Sequence, residues 1–419
     1  MFMDNEIYFL QNKHWKAEEY NYLIKRKCFD NLKENLLKHK LILSLEGPRR
    51  VGKSILLLQL IDYLIKKEKI KPIDILYFSF DLYSKSVLQI LKEYEQIRAK
   101  SLYKGKIYLF LDELQKRKNW QTELKLIYDN YPNIKLIISG STLRASKKES
   151  LAGRIIEFFI SYLSFEEYLI FTENTKLLKS EIDDSFLSEY SIYLYRQYPE
   201  LAINKNLNTK EYITSIIKKI IFEDSKIYLN NVDIDKLQSI LNIVLRDPGQ
   251  IINYTDLAKD LGIDRRTVSD YISFLVDSAI IRKIYNFSNN ARKVEFKSKK
   301  LYPYSTTLIK YIMDNPDVSK IVETDVAFQL NAMYFWNLRG EEIDFVIFNN
   351  KDNKDKNIAV EVKYRKRIDS CDVKTFNSKN FKKLNIKDKY LIIRDGSALN
   401  YNDTSIIPIK YYVLWKKHI

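Results

Sequence analysis

Residues 43–66, "LSLEGPRRVGKSILLLQLIDYLIK", carry three signals that together decide the fold around them. A short strand-like run with apolar Leu43 and Leu45 ends at Gly47, a G-x-x-x-x-G-K-S turn follows, and apolar positions then recur at helical spacing. Such a turn points backbone N–H groups inward around phosphate oxygens. Gly47 and Gly52 permit the backbone this requires, and a helix N-terminus adds the positive end of its dipole. Pro48, Arg49, Arg50 and Val51 complete the cradle, Lys53 is placed for the β- and γ-phosphates, and Ser54 for Mg²⁺. The stretch therefore predicts a phosphate cradle with ATP and Mg²⁺ as cofactors.

One loop is a short motif, so a second part of the site is required. "KIYLFLDELQK" reads as a buried strand that delivers Asp112 and Glu113 at its C-terminal end, where ligands bind in open α/β sheets. Asp112 is expected in the Mg²⁺ shell and Glu113 as the group that orients and activates water. A third strand ends in "LIISGST"; Ser139 and Ser141 there either contact the γ-phosphate or its water, or form a turn that caps the next helix. Arg154 follows a glycine. It is read either as a guanidinium that stabilises transition-state charge, in cis or from a neighbouring subunit, or as a surface arginine.

Working outward, "LILSLEG", "DILYFSF", "KIYLFLDE" and "IKLIISGS" alternate with helical patterns, which predicts an α/β fold with a parallel sheet covered by helices. Between Leu177 and Leu245 helical periodicity replaces the strand signal, as expected of a bundle or lid. The motifs "EGPRRVGKS", "LDELQK" with Trp120 and "ELKLIYDN", "LIISGST", "LAGR" and "LSFEEYL" occur in that order. In this the chain resembles the AAA-type ATPases of archaea and bacteria that carry a C-terminal restriction-endonuclease-like domain. The resemblance implies a P-loop core that binds ATP and Mg²⁺, with Lys53, Ser54, Asp112 and Glu113 in the roles given above.

Composition bounds the remainder. The chain has 419 residues and a formal charge of +16, which suits several domains and a polyanionic partner such as nucleic acid, although a general lysine bias spread over solvated faces gives the same number. Two distant cysteines and three histidines argue against disulfides and zinc. The absence of a long apolar run, and an opening that lacks the order of a signal peptide, predict a cytoplasmic protein without membrane partners.

"YTDLAKDLGIDRRTVSDYISFLVDSAII" reads as a helix-turn-helix, with Gly262 in the turn and Asp264 capping the second helix. Arg265, Arg266, Ser269 and Ser273 then face outward on the helix that would meet nucleic acid. Arg282, Lys283, Arg292 and Lys293, in a following wing, are expected at phosphates. A rigid packing module is the alternative use of such a domain.

Near the C-terminus, "EEIDFVIF" and "IAVEVKY" place Asp344 on one strand and Glu361 and Lys363 on one face of the next, with Glu323 as a further acid. This D…E-x-K pattern resembles the core of restriction-type nucleases, whose carboxylates hold Mg²⁺. An exposed hairpin with cross-strand ion pairs, or an inherited fold without activity, is the competing account. Where the family usually has Asp and Gly, this chain has Ser305 and Thr307. The expected division is a P-loop core over 1–172, a helical lid over 173–245, a winged helix-turn-helix over 246–300 and a restriction-endonuclease-like domain over 301–419. The expected function is an ATPase that couples nucleotide state to nucleic acid. Its alternatives are a regulatory switch that binds protein partners, or copies of itself, and an ATP-gated nuclease.

Overall fold

The computed structural model describes residues 2–81, 83, 85–141, 151–178, 184–288, 290, 292, 294, 297–348, 357–401 and 403–414. The chain forms two compact units, Met1–Tyr162 and Leu163–Ile419.

In the first unit the strands are β1 (Ile42–Glu46), β2 (Ile75–Ser79), β3 (Ile107–Asp112), β4 (Ile134–Gly140) and β5 (Ile155–Phe159). They form one parallel sheet in the order β2-β3-β4-β1-β5. Strands β1, β3 and β4 are buried along their whole length, which is why they read as unbroken apolar runs and not as alternating ones. One face of the sheet (Leu76, Phe78, Leu109, Leu111, Leu136, Ile138) packs in a common core with Ile90, Leu91 and Tyr94 of helix Val87–Arg98 and with Leu124 and Ile127 of helix Trp120–Asn130. Because every strand runs the same way, their C-terminal ends at Glu46, Ser79, Asp112 and Gly140 meet at one edge. Strand β4 lies between β1 and β3, and its Ser139 is in register with Leu45 of β1.

The second unit opens with helices, among them Phe165–Phe171, Thr209–Lys219 and Ile234–Arg246. Two more helices, Tyr254–Leu261 and Arg265–Asp277, are joined by a tight turn in which Gly262 has φ +65. Asp264 occupies the N-cap position of the second, but its side chain makes no capping bond, so the capping role expected for it is not filled. Nine strands then make one mixed sheet: β6 (Ile251–Ile252), β7 (Ile281–Asn286), β8 (Lys299–Pro303), β9 (Tyr334–Leu338), β10 (Glu341–Ile347), β11 (Ile358–Lys363), β12 (Asp388–Ile393), β13 (Leu399–Tyr401) and β14 (Thr404–Pro408). Their order is β13-β14-β12-β11-β10-β9-β7-β8-β6. The parallel pairing of β7 with β9 joins the strands beside the helix pair to the C-terminal strands. The position expected for a boundary, at residue 301, falls inside β8.

A buried polar network closes the helical part of this unit. Asp325, fully buried on helix Val318–Gln329, accepts from the hydroxyls of Tyr190 at 2.7 Å and Tyr193 at 3.1 Å and from Gln197 Nε2 at 2.9 Å. Gln197 Oε1 in turn accepts from Ser305 Oγ at 2.6 Å and from the Thr306 N–H at 3.0 Å, and the Gln197 N–H donates to Thr307 Oγ1 at 3.0 Å. Ser305 and Thr307 hold this glutamine in place. Among the described residues no helix is long and apolar enough to cross a membrane.

Candidate functional site

At the C-terminal edge of the first sheet, Gly47 has φ +146, and a β-carbon there would fall 2.0 Å from the Ile160 carbonyl oxygen. Only glycine fits, because the Ile160 N–H donates to the Glu46 carbonyl at 2.7 Å and ties that backbone against the loop. Gly52, with φ +95, turns the chain into helix Lys53–Lys66. The buried Lys53 ammonium curls over the loop and donates to the carbonyls of Gly47 at 3.0 Å and Pro48 at 2.6 Å. Arg49 is buried, Arg50 is exposed with φ +61, and Ser54 is half-buried in the first turn of the helix.

The carboxylate of Asp112, buried at the end of β3, accepts from the Tyr77 hydroxyl at 2.8 Å, from Ser139 Oγ, and from the N–H of Glu113 at 3.1 Å. Burial first, and Asp112 second, push the Tyr77 hydroxyl far above its usual range, so it stays a donor. Glu113 sits in the left-handed region at φ +54 and accepts from Gln115 Nε2 at 2.5 Å; that nitrogen also donates to Ser141 Oγ at 3.1 Å. Gln115 Oε1 is buried and accepts no hydrogen bond from the described residues. The strand ends thus join Asp112 to Ser139 and Glu113 to Ser141 in one polar edge.

These residues fit a Mg²⁺-nucleotide. The loop is a cradle that a β-carbon would fill, it opens a helix of 14 residues, and Lys53 supplies a buried ammonium. Ser54 and Asp112 supply the hard oxygen donors that Mg²⁺ prefers. Arg154 does not join them. It precedes β5, where its carbonyl accepts from the N–H of Ile42 at the start of β1, and the length of β1 puts it about 16 Å from the loop at roughly 3.3 Å per residue. Its guanidinium pairs with Asp129 at 3.0 Å. Action in cis is therefore ruled out by the direction of the strands.

In the second unit, hairpin strands β10 and β11 bring Asp344 beside Glu361. The Asp344 N–H donates to Glu361 Oε2 at 3.2 Å, the Val362 N–H to Asp344 Oδ2 at 2.9 Å, and Lys363 Nζ to Glu361 Oε1 at 2.7 Å. Glu323 is reached by the Tyr302 hydroxyl at 2.5 Å. Burial first, then the neighbouring Asp344 carboxylate, raise Glu323 to about 7 and Glu361 to about 8. The nearby Lys300 is a side chain that the motif pattern did not single out. Its ammonium lies 2.6 Å from Glu342, 3.7 Å from Asp344 and 3.9 Å from Glu323, with the side chain 4% exposed. Of the two acids expected at Mg²⁺, Asp344 therefore lies beside the Lys300 ammonium and Glu361 beside that of Lys363. Among the described residues no group of three or more His, Cys, Asp or Glu side chains is arranged to hold a metal.

A third place lies on the helix pair. Arg265, Arg266, Ser269, Lys283, Lys297 and Lys299 line a cleft of about 570 Å³ that also takes in Asn253 to Thr255, with no acidic lining residue among those described. Ser273 is exposed on the same helix. Arg282 is elsewhere. It is buried, stacks over Tyr304 at 4.5 Å and donates to Asn331 Oδ1 at 3.0 Å, which removes it from the expected phosphate contacts. Arg292 is exposed, and Lys293 lies outside the described residues.

Residues 39–169 match the family described as "AAA domain", and residues 190–319 and 321–412 match two domains of unknown function, DUF8612 and DUF4143. An uncharacterized protein of Methanocaldococcus jannaschii is 30% identical over 351 residues, covering 74% of this chain and 73% of its own length. The chain belongs to this archaeal protein's family. Its first unit holds an AAA-type P-loop ATPase domain. A second M. jannaschii protein, also uncharacterized, is 25% identical over 83% of this chain and 85% of its own. The Walker-type ATPase PABY2304 of Pyrococcus abyssi covers 70% of this chain and 97% of its own at 16% identity, with a TM-score of 0.44.

In the first unit three supporting side chains lie outside the motif pattern. Arg26 clamps the loop from outside, donating to the carbonyls of Val51 at 2.8 Å and Ser161 at 2.9 Å. Tyr77 and Gln115 hold the two acids. Gln115 stands inside the quoted "LDELQK", two residues past Glu113, which was its only sequence signal. Arg26 and Tyr77 have none.

Proposed function

We propose that this protein is a Mg²⁺-dependent ATPase that couples nucleotide state to nucleic-acid binding. The observation that carries the reading is the convergence of Lys53, Asp112, Glu113 and Ser139 on one strand edge beside a loop that admits only glycine at 47. On this reading the Lys53 ammonium exchanges two neutral carbonyls for β- and γ-phosphate oxygens, which are stronger acceptors. Ser54 and Asp112 hold the Mg²⁺, which neutralises charge developing on the phosphates. Glu113, released from Gln115 or acting beside it, positions water in line with the γ-phosphate. Ser139 and Tyr77 keep Asp112 oriented. An ATP requirement suits the cytoplasm, where the nucleotide is abundant.

The basic cleft supports nucleic acid as the partner. A helix pair with a tight glycine turn and flanking strands β6 to β8 has the parts of a winged helix, with Arg265 and Arg266 at the helix end that enters a major groove. The β10–β11 hairpin with parallel β12 and β14 supports a restriction-endonuclease-like core that contributes a surface and no cleavage. Such a core and the winged helix share one sheet.

The test is ATP turnover with Mg²⁺, with and without duplex and single-stranded DNA. Lys53→Ala is expected to abolish turnover, and Glu113→Gln to keep ATP binding while lowering turnover about 100-fold or more. Unchanged hydrolysis in Lys53→Ala sinks the nucleotide site. Turnover indifferent to either DNA removes the coupling.

A further inference from the structure

The carboxylates of the second unit are organised around an ammonium. Lys300 approaches Glu342, Asp344 and Glu323, which come from β10 and from helix Val318–Gln329, and the Phe335 ring closes over it at 5.4 Å. Successive residues of a strand face opposite ways. Lys299 accordingly lines the basic cleft, and Lys300 turns inward to the acids.

We infer that Lys300 is a built-in cation standing in for a divalent metal, so that this cluster is a charge-closed strut and not a cleavage centre. A divalent ion needs carboxylate oxygens at roughly 2.0–2.6 Å, free to turn toward it. Here each acid already has protein partners: Glu342 has Lys300 and Asn337 Nδ2, Glu323 has Tyr302, Glu361 has Lys363 and the Asp344 N–H, and Asp344 has the Val362 N–H with Lys300 at 3.7 Å. A metal would have to displace an ammonium whose side chain is 4% exposed, and a buried ammonium separated from its carboxylates is costly. The burial of Lys300 is thus matched to the acids, and the acids to Lys300. Two side chain–backbone bonds, from the Asp344 N–H to Glu361 and from the Val362 N–H to Asp344, also tie β10 to β11. This inference rests on the nuclease-like reading only for its comparison, and its test uses no ATP.

The test is Mn²⁺ binding to the full-length, nucleotide-free protein, counted by electron paramagnetic resonance, with Asp112→Asn in every sample to silence the first unit. The Lys300-containing protein is expected to show no site tighter than about 1 mM. Lys300→Met, which keeps the length and loses the charge, is expected to create one site at least about 30-fold tighter, abolished again by Glu361→Gln or Asp344→Asn. A tight site in the Lys300-containing protein that vanishes with Asp344→Asn overturns the inference, as does a folded Lys300→Met that gains no site. Mn²⁺-dependent DNA cleavage lost in Glu361→Ala also overturns it. Should Lys300→Met fail to fold, the titration with Lys300 in place still decides.

Discussion

His14 is held without its charge. Its Nε2 faces the Ile75 carbonyl at 3.1 Å, which can only accept, so Nε2 carries the proton and Nδ1 accepts from the Tyr20 hydroxyl at 2.9 Å. Burial lowers its pKa from 6.5 to about 4 despite the opposing carbonyl bond. The folded value lies below the unfolded one, so below pH 6.5 the unfolded chain binds the extra proton. Stability present above pH 6.5 is lost as pH falls toward 4, by about 3 kcal/mol. Denaturant melts of the first unit should weaken over that window, and His14→Gln should flatten the slope there; parallel slopes would refute the assignment. Gly47, Lys53 and Asp112 are legible in the sequence because their chemistry is encoded within one short segment each. Arg26 and Tyr77 are not, since each acts on a partner 25 and 35 residues away, and nothing local marks them.

Among elements, strands β1 to β4 could be read because burial on both faces forces continuous apolar runs. Edge strand β5 is half-exposed and β6 has two residues, so neither leaves a pattern. Strand β7 shows a different failure. "IIRKIY" looks like a basic wing, but β8 pairs on one side and β9, far along the chain, on the other, and Arg282 is buried against the Tyr304 ring with Asn331 and the carbonyls of Ala327 and Ala332 as acceptors. The two kinds of arginine should separate in experiment. Arg265→Ala with Arg266→Ala is expected to weaken duplex binding about tenfold at moderate salt and to reduce the slope of log affinity against log salt by roughly 2. Arg282→Ala should lower the melting temperature and leave that slope alone. A salt slope unmoved by the double substitution removes the cleft as the phosphate-binding face.

For the molecule as a whole, the opposite-edge position of Arg154 limits how copies could cooperate. An arginine acting across subunits contributes about 10³-fold or more to phosphoryl transfer, whereas an exposed ion pair such as Arg154 with Asp129 contributes little. In a dilute monomer, Arg154→Ala should leave ATP turnover within about twofold. Turnover per chain that rises with protein concentration, and loses that rise in Arg154→Ala, would instead require head-to-tail assembly that brings this edge of one copy to the phosphate loop of the next. The sequence could name Arg154 but not its edge, because strand direction and order are properties of the whole sheet. The same holds for the continuity of the second unit's sheet, which depends on the pairing of Tyr285 with Tyr334 across residues that share no local signal.

The adjacency of Lys299 and Lys300 has an effect on strand registration. Sliding β8 by one residue would carry Lys299 among the acids, leaving them a cation, so charge alone tolerates the error. What the slipped strand lacks is a hydroxyl, since Leu301 would take the place of Tyr302 and Glu323 would lose its donor inside the protein. The proofreader of this strand is its tyrosine.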